Sequence, residues 1–342
     1  MSTVKKCIVW DLDNTLWDGI CLEGDVVIRP EVQQTIKELD RRGILHSIAS
    51  RGEKDVAVKI LQEHKLEGYF LAPRINWLPK STNIVRIAKE IRLSLESIAF
   101  IDDDRFELEQ IAFMLPEVMT IEAQQAPELP YMSEFTLAEV TREARARRQF
   151  YQAEQQRKRA ECQYPTREDF LKSCVMQLKV RSMNMDDVPR VLELMSRTHQ
   201  LNTTGRIFLH DELLDIFSNR AGSMKIKVAD LTDRFGWYGT IGVAITEASD
   251  ARWRLLYLAI SCRVLGRGIE RAFLASLLRD AQNLGFDHAE ATFRDTGRNR
   301  MMRALYQMSG FRKWGKAQKS GTLIFRGAIS EVPKTPSWVD VV

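Results

Sequence analysis

The 342-residue sequence contains no C-x-x-C pair, no apolar run of 18 residues and no histidines spaced as metal ligands. Without such a run we expect no membrane-spanning helix, because a span needs about 20 predominantly apolar residues. The five cysteines are an odd number without paired spacing. This pattern argues against a disulfide framework and a cysteine zinc site. We therefore expect a soluble, cytoplasmic protein with reduced thiols.

The sequence also has no large excess of charge of one sign. The net charge is +4, which by itself is too small to indicate a nucleic-acid-binding protein. The hydrophobic fraction of 44% and the charged fraction of 28% are ordinary for globular proteins. A chain of this length most often forms two domains.

Strand-like and helical patterns alternate through the first third of the chain. Residues 5–12 form an apolar run typical of a strand that is covered on both faces. A helix is predicted from about Pro30 to Arg42, because its apolar residues recur with helical spacing and Gly43 follows it. Alternating strands and helices predict a parallel sheet of the Rossmann-like, doubly wound type.

The last half of the sequence has a different pattern. Several consecutive strands precede a long helix, predicted over Gly268–Gly285, and further strand and helix patterns follow it. We therefore predict an α/β protein with two domains, the second of mixed α/β type. The predicted boundaries are a phosphatase-like domain at 1–125, a charged helical linker at 126–165, a second domain at 166–332 and a tail at 333–342.

The linker is rich in charge. Residues 138–161 contain seven basic and four acidic side chains. One interpretation is a solvated spacer helix. The alternative is a basic landing surface for an acidic partner such as a carrier protein.

Polar side chains follow several strands of the predicted parallel sheet. Asp11 and Asp13 follow the first strand, Ser50 the second, and Lys80 lies in the loop after the third. The fourth strand ends in three aspartates, Asp102–Asp104. Reactive groups gather at the carboxyl ends of parallel strands, and clustered carboxylates need a compensating cation. Mg²⁺ is suited to that role, and the whole set indicates phosphoryl chemistry with a carboxylate nucleophile.

These residues resemble the motifs of the haloacid dehalogenase (HAD) superfamily. "DLDNT" resembles its D-x-D-x-T motif, and Ser50, Lys80 and "IDD" resemble the other three in order. The resemblance implies that Asp11 attacks phosphorus and that Asp13 acts as general acid and then general base. It implies that Ser50 and Lys80 hold the phosphoryl group.

The same resemblance implies the ligands of the metal ion. Asp11, the backbone carbonyl of Asp13, and Asp103 would hold Mg²⁺, with Asp102 nearby. We expect Arg51 and Asn76, which lie next to the second and third motifs, to bind substrate. Only a short segment separates Asp13 from Ser50, so no large cap domain fits and the site is expected to be open.

A second motif lies in the last half of the chain. "RVLGRG" matches R-x-x-G-x-G at a strand-to-helix turn, and this half resembles the GNAT acyltransferase fold. The resemblance implies that Arg263, Gly266 and Gly268 grip the pyrophosphate of CoA or the pantetheine arm of a carrier protein. Cys262 precedes the turn. It is either a small buried apolar residue or an acyl-accepting thiolate, and other cysteines, Cys21 among them, compete for that role.

The segment "RTHQLNTTGR", residues 197–206, is unusually polar for the end of a helix. Capping and turn formation are one explanation for it. In the other, His199 and Asn202 orient a hydroxy acid or relay a proton.

Together the two halves resemble the FkbH-like family, through "WDLDNTLWDG", "INWLPKS", "QLNTT" and "SCRVLGRG". The resemblance implies an enzyme that takes 1,3-bisphosphoglycerate, removes phosphate and delivers a D-glyceryl unit to the phosphopantetheine thiol of an acyl carrier protein, as in polyketide biosynthesis. One alternative is a phosphatase joined to a CoA-dependent N-acetyltransferase that acts on a small metabolite. Another is a non-catalytic binding module, which the intact set of charged motif residues disfavours.

Overall fold

The computed structural model describes residues 4–136, 140–218, 223–249, 252–318 and 321–342. It divides into two compact units, Met1–Gln155 and Gln156–Val342. Leu137–Glu139, at the start of the predicted linker helix, lie outside the described residues. Over the described ranges, no helix is both long and apolar enough to cross a membrane.

The first unit is built on a parallel sheet of five strands in the order β5-β4-β1-β6-β7. The central strand β1 is entirely buried, and Trp10 pairs with Ile48 on one side and Ile101 on the other. An apolar run without alternation suits a strand covered on both faces, as predicted. The strands of this unit are β1 (Cys7–Trp10), β2 (Trp17–Asp18), β3 (Val27–Ile28), β4 (Leu45–Ser50), β5 (Arg74–Ile75), β6 (Ile98–Asp102) and β7 (Met119–Glu122).

Helices connect the parallel strands and cover the sheet. Helix α1 begins at Pro30, whose missing N–H costs nothing in the first turn. It buries Val32, Ile36 and Leu39, which recur with helical spacing. The helices that begin in this unit are α1 (Pro30–Arg41), α2 (Lys54–Glu63), α3 (Lys80–Glu90), α4 (Arg105–Met114), α5 (Arg142–Arg145) and α6 (Arg147–Glu161).

The sequence pattern YFLAPRI predicts the third strand over residues 69–75, but the strand that forms is shorter. Within residues 69–75 only β5 belongs to the sheet, while Phe70 makes an isolated bridge to His46. Pro73 interrupts the run and has no N–H to donate to a ladder, and Ala72 has a positive φ of 49°. Such an interrupted strand is tolerated only at an edge, where β5 lies.

The predicted linker is structured in both of its halves. Its first half forms short 3-10 turns, in which Leu129 and Phe135 are fully buried in the core of the first unit. In α6, Arg148 forms a two-pronged ion pair with Asp40 of α1. Apolar side chains therefore anchor the first half of the linker, and an ion pair anchors α6 within residues 138–161, for which the sequence left a solvated spacer and a partner-binding surface as alternatives.

The second unit contains a mixed sheet of eight strands in the order β13-β14-β12-β11-β10-β9-β8-β15. The prediction of a Rossmann-like α/β domain followed by a mixed α/β domain is confirmed. The strands are β8 (Met176–Ser182), β9 (Met224–Asp233), β10 (Gly236–Ser249), β11 (Arg252–Ile260), β12 (His288–Arg294), β13 (Arg312–Trp314), β14 (Thr322–Ala328) and β15 (Val339–Val341). Since β15 pairs with β8, the predicted tail contributes a strand to the sheet.

The helices of the second unit are α7 (Arg167–Ser173), α8 (Val188–Arg197), α9 (His210–Ser218), α10 (Ile269–Asn283) and α11 (Arg300–Met308). The longest of them, α10, buries eight residues, and its apolar side joins the core of the sheet. It starts directly after Gly268, which has a left-handed φ of 76°. Glycine adopts that conformation without steric cost.

Strands β11 and β12 pair in parallel only where Trp253–Leu255 faces Ala289–Ala291, and they part beyond that point. Residues 201–203 hydrogen-bond to both strands there. The N–H of Thr203 donates to the carbonyl of Leu258, and the N–H of Arg294 donates to the carbonyl of Thr203. The chain itself thus satisfies backbone groups that the diverging strands leave unpaired.

A buried ion pair holds the end of α6 in the second unit. Arg157 donates from Nε and Nη2 to Asp233 at 2.7 and 2.8 Å, and the side chains are only 5% and 0% exposed. Tyr238 also donates its hydroxyl to Asp233 at 2.7 Å. Removing one partner of such a pair leaves a buried charge without compensation.

We predict that Asp233→Ala lowers the free energy of unfolding of the second unit by about 3 kcal/mol, because the Arg157 guanidinium would stay buried without its carboxylate. Urea denaturation followed by circular dichroism measures the change. Lys172→Ala, which breaks an exposed pair with Glu168, is the control and should leave the midpoint unchanged. Equal midpoints for the Asp233 variant and the wild type would contradict the prediction.

Candidate active site

The site forms where β1 and β6, neighbours in the sheet, end beside the first turn of α3. Lys80 opens α3, and its Nζ lies 2.9 Å from Oδ1 of Asp11 and 2.6 Å from Oδ2 of Asp102. The side chains of all three are at most 7% exposed. One buried ammonium therefore bridges carboxylates from two strands.

Burial and charge act against each other at this contact. Burial raises the pKa of Asp11, and Lys80 opposes that shift by favouring the ionised carboxylate. Burial also raises the pKa of Asp102, and the Lys80 ammonium opposes that shift as well. For Lys80, burial lowers the pKa, but the two carboxylates outweigh it and the net shift is upward. The ammonium thus stays charged.

Asp103 completes an acidic cluster. Carboxylate oxygens of Asp11, Asp102 and Asp103 lie within 4.8 Å of one another. Thr15, from the loop after β1, donates its hydroxyl to Oδ1 of Asp103 at 3.4 Å. Asp102 is held in place by the N–H of Asp104, which donates to its Oδ1 at 3.0 Å.

A divalent cation suits the charge and spacing of this cluster. Three carboxylates meet one lysine, so negative charge remains uncompensated although two of the three aspartates are buried. Hard oxygen ligands in this number, one of them on the exposed Asp103, suit Mg²⁺, which also takes water or phosphate oxygens. The predicted metal ligands Asp11 and Asp103 lie in the cluster. Asp13 would contribute its backbone carbonyl rather than its side chain.

The Asp13 carboxylate is held by the short hairpin that follows the first motif. Trp17 donates from Nε1 to Oδ1 of Asp13 at 2.7 Å, and the N–H of Cys21 donates to the same oxygen at 3.1 Å. The hairpin consists of β2 and β3, of two residues each. The insertion before α1 is therefore small, as the sequence predicts for an open site.

Other predicted site residues surround this centre. Ser50 ends β4 and is 3% exposed, and its hydroxyl lowers the pKa of the Asp11 carboxyl. Arg51 is exposed, and its Nη2 lies 2.7 Å from Oε1 of the buried Glu107. Asn76 accepts at 2.9 Å from the N–H of Leu78 and so shapes the loop before α3.

The predicted pantetheine-type turn contacts other parts of its own unit. Gly266 has a left-handed φ of 75°, and its carbonyl accepts from Nη2 of Arg167 at 3.2 Å. A Cβ at Gly268 would come within 2.7 Å of Pro336. Arg263 donates from Nη2 to the carbonyl of Tyr238 at 3.1 Å. The glycine-dependent turn is present, but the binding of pantetheine there stays a prediction.

The five cysteines differ in accessibility. Cys262 begins a short 3-10 turn after β11 and is exposed, so the interpretation as a small buried residue is wrong. Cys162 is also exposed and Cys21 is half-buried, while Cys7 and Cys174 are buried. A reactive thiol needs access to its acyl donor, which leaves three candidates.

The two candidate substrate contacts in the polar segment 197–206, Asn202 and His199, lie in different environments. Asn202 is 1% exposed, and its amide is fully used: Nδ2 donates to Tyr257 Oη, and Oδ1 accepts from the N–H groups of Thr204 and Gly205. This supports turn formation and corrects the predicted substrate contact at Asn202. His199 is exposed after α8 and stays a candidate.

Several supporting residues could not be assigned from the sequence. Glu107 anchors Arg51, and Trp17 orients Asp13, yet neither stands in a motif that predicts this. Thr15 belongs to the D-x-D-x-T pattern, but the pattern does not pair it with Asp103. Asp102 was expected only near the metal, whereas it is a direct partner of Lys80.

No protein-family model matches the chain, and no curated protein matches it. Among solved structures, the N-terminal part of BF1531 from Bacteroides fragilis, which contains a phosphatase domain complexed with Mg, is 24% identical. That match covers 40% of this chain and 42% of the other, with a TM-score of 0.36. The chain thus spans less than half the length of that structure.

Two acetyltransferase structures are also similar. The ribosomal-protein-S18-alanine N-acetyltransferase from Escherichia coli is 19% identical over 44% of this chain and 94% of its own, with a TM-score of 0.35. The spermidine N-acetyltransferase from Vibrio cholerae, in complex with CoA and spermine, is 15% identical over 46% of this chain and 99% of its own, with a TM-score of 0.37.

We predict that Lys80→Met, measured in metal-free buffer, lowers the free energy of unfolding of the first unit by about 3 kcal/mol, because Asp11 and Asp102 lose their shared cation. The double variant Lys80→Met/Asp102→Asn should recover part of this loss, since one buried charge is removed. Urea denaturation measures both. Arg105→Ala, which breaks an exposed pair with Glu109, is the control. A single variant as stable as the wild type would refute the buried triad as a stabilising contact.

Proposed function

We propose that the first unit is a Mg²⁺-dependent phosphatase of the HAD type. We further propose that the whole protein takes 1,3-bisphosphoglycerate, removes phosphate and transfers the D-glyceryl unit to the phosphopantetheine thiol of an acyl carrier protein. The observation that carries the phosphatase proposal is the convergence of Asp11, Lys80, Asp102 and Asp103 at the ends of neighbouring strands.

Asp11 is the proposed nucleophile. Its carboxylate oxygen forms a bond to phosphorus while the ester P–O bond breaks, which produces an aspartyl-phosphate. Asp13 gives a proton to the departing alkoxide oxygen. Asp13 then takes a proton from water as the water oxygen attacks phosphorus and releases inorganic phosphate and free Asp11.

Lys80 and Ser50 both support this chemistry at the nucleophile. Each lowers the pKa of Asp11 and so favours its ionised form against the effect of burial. They also place a charge and a hydroxyl where phosphoryl oxygens would lie. Asp11, Asp103 and the Asp13 carbonyl would hold the Mg²⁺ ion, which when bound supplies charge stabilisation for the transferring phosphoryl group.

The acyl phosphate of 1,3-bisphosphoglycerate needs no further activation. In the proposed transfer, the thiolate of Cys262 attacks the acyl carbon, a C–S bond forms, and the C–O bond to phosphate breaks. The thiol proton passes to solvent, and phosphate departs. The carrier thiol then attacks the thioester, so that the glyceryl group moves from one sulfur to the other. Exposure of Cys262 at the start of its turn supports this choice.

A phosphatase joined to a CoA-dependent N-acetyltransferase is the second candidate. The glycine turn before α10, with left-handed Gly266 and Gly268, favours it. The two candidates differ in what becomes acylated, a carrier thiol or a small amine. Tight acetyl-CoA binding together with an unmodified carrier would select the second.

We predict that Asp11→Asn reduces release of p-nitrophenol from p-nitrophenyl phosphate at least about a thousandfold, because the amide cannot form the aspartyl-phosphate. Asp104→Asn makes the same chemical change at the exposed N-cap of α4 and should stay within a few-fold of the wild type. Retained activity in the Asp11 variant would exclude it as the nucleophile. Removal of Mg²⁺ by chelation should abolish activity in every variant.

We predict that an acyl carrier protein incubated with enzyme, Mg²⁺ and 1,3-bisphosphoglycerate gains the mass of one glyceryl group. Cys262→Ala should abolish the gain while p-nitrophenyl phosphate turnover continues. Cys162→Ala, at the other exposed cysteine, is the matched control and should leave acylation intact. An unmodified carrier under conditions that consume the substrate would rule out the transfer, and full acylation by the Cys262 variant would move the acyl site to another thiol.

A further inference from the structure

A positive surface of the second unit lies between the end of β12 and the loop after β13. Residues 294–316 contain seven basic side chains and one acidic side chain, Asp295. All seven basic side chains are exposed: Arg294, Arg298, Arg300, Arg303, Arg312, Lys313 and Lys316. We call these seven residues, with the exposed side of α11, the α11–β13 surface.

None of these seven residues forms an ion pair with any residue that the structure describes. The other basic segment, α6, is different. Arg148 is paired with Asp40, Arg157 is paired with Asp233, and Arg147 donates to the carbonyl of Gly43 at 2.8 Å. Three of the five basic residues of α6 are thus paired within the chain, whereas Lys158 and Arg159 are exposed without an ion pair among the described residues. At the α11–β13 surface all seven basic residues remain available to a partner.

Apolar side chains lie among these charges. Met301 and Met308, seven residues apart on α11, are 46% and 79% exposed, and Trp314 of β13 is 57% exposed. The opposite side of α11 buries Met302, Leu305 and Tyr306 in the core. Residues seven apart lie on the same side of a helix, so the methionines form an adaptable apolar stripe bordered by arginines.

The two elements form one continuous area. Helix α11 is followed after three residues by β13, and Arg312 donates from Nη1 to the carbonyl of Gln307 at the end of α11. Strand β13 is the edge strand of the sheet, so its outer side has no neighbouring strand among the described residues. Arg326 of β14 packs over Trp314, with 4.9 Å between the guanidinium carbon and the ring centroid.

We propose that the α11–β13 surface docks an acidic helix of the carrier protein that receives the acyl group, an inference that rests on the proposed function. Unpaired arginines attract carboxylates along such a helix, and the methionines and Trp314 contact its apolar side chains. A nucleic acid would also be attracted by the charge. An exposed apolar stripe between the charges favours a protein helix, which presents apolar and acidic groups together.

The test measures binding of a dye-labelled, acidic holo acyl carrier protein to the full chain by fluorescence anisotropy. Arg300→Glu/Arg303→Glu should weaken binding about tenfold and reduce its salt dependence, because two charge reversals face the acidic helix. Arg86→Glu/Lys89→Glu is the matched control. It makes the same charge change, at the same spacing, on the exposed side of α3 in the first unit, and should change affinity less than twofold.

Urea denaturation of all three proteins, followed by circular dichroism, shows that both units of each variant are folded. Equal weakening by both variants, or no weakening by the Arg300/Arg303 variant, would overturn the docking proposal even where wild-type enzyme acylates the carrier. Tighter binding of a duplex oligonucleotide than of carrier, lost in the same variant, would overturn it in favour of nucleic acid. Specific carrier binding without any acylation would uphold the docking surface and refute the transfer reaction instead.

Discussion

The contact on which the first unit depends is the shared ion pair of Lys80 with Asp11 and Asp102. Two buried carboxylates at the ends of adjacent apolar strands would repel each other without a cation between them. One ammonium, carried by the first turn of α3, makes their approach possible. Because it compensates only part of the negative charge of the cluster with Asp103, the same contact that stabilises the sheet edge also leaves a site suited to a divalent cation.

The basic residues of this protein fall into two kinds, those with partners within the chain and those without ion pairs among the described residues. Arg147, Arg148 and Arg157 of α6 contact carboxylates and carbonyls of the chain, so they stabilise the fold. Those of residues 294–316 have exposed side chains without ion pairs within the described chain, and apolar side chains lie among them. Composition marks both segments as basic. Only the position of the acidic partners tells which charges are available to another molecule.

The second unit shows how buried polar groups find partners inside the fold. Asn202 looks like a substrate-binding residue in a polar segment, yet its amide holds the backbone between the diverging strands β11 and β12. The amide of Asn299 supports the same backbone by donating to the carbonyl of Asn202 at 2.9 Å. A buried amide whose donor and acceptor groups are all hydrogen-bonded within the fold has no free group with which to bind a ligand.

The sequence by itself determined the two-domain α/β organisation and the residues that end the strands, because hydrophobic periodicity and glycine, proline and carboxylate positions are local properties. It also marked Asp11, Lys80 and Asp103 as one set. Tertiary structure alone decided that Asp102 pairs directly with Lys80, that Glu107 anchors Arg51, and that the linker's first half is packed into the core. These contacts join residues distant in the chain, and which partners meet depends on how strands and helices are arranged in space rather than on any local pattern.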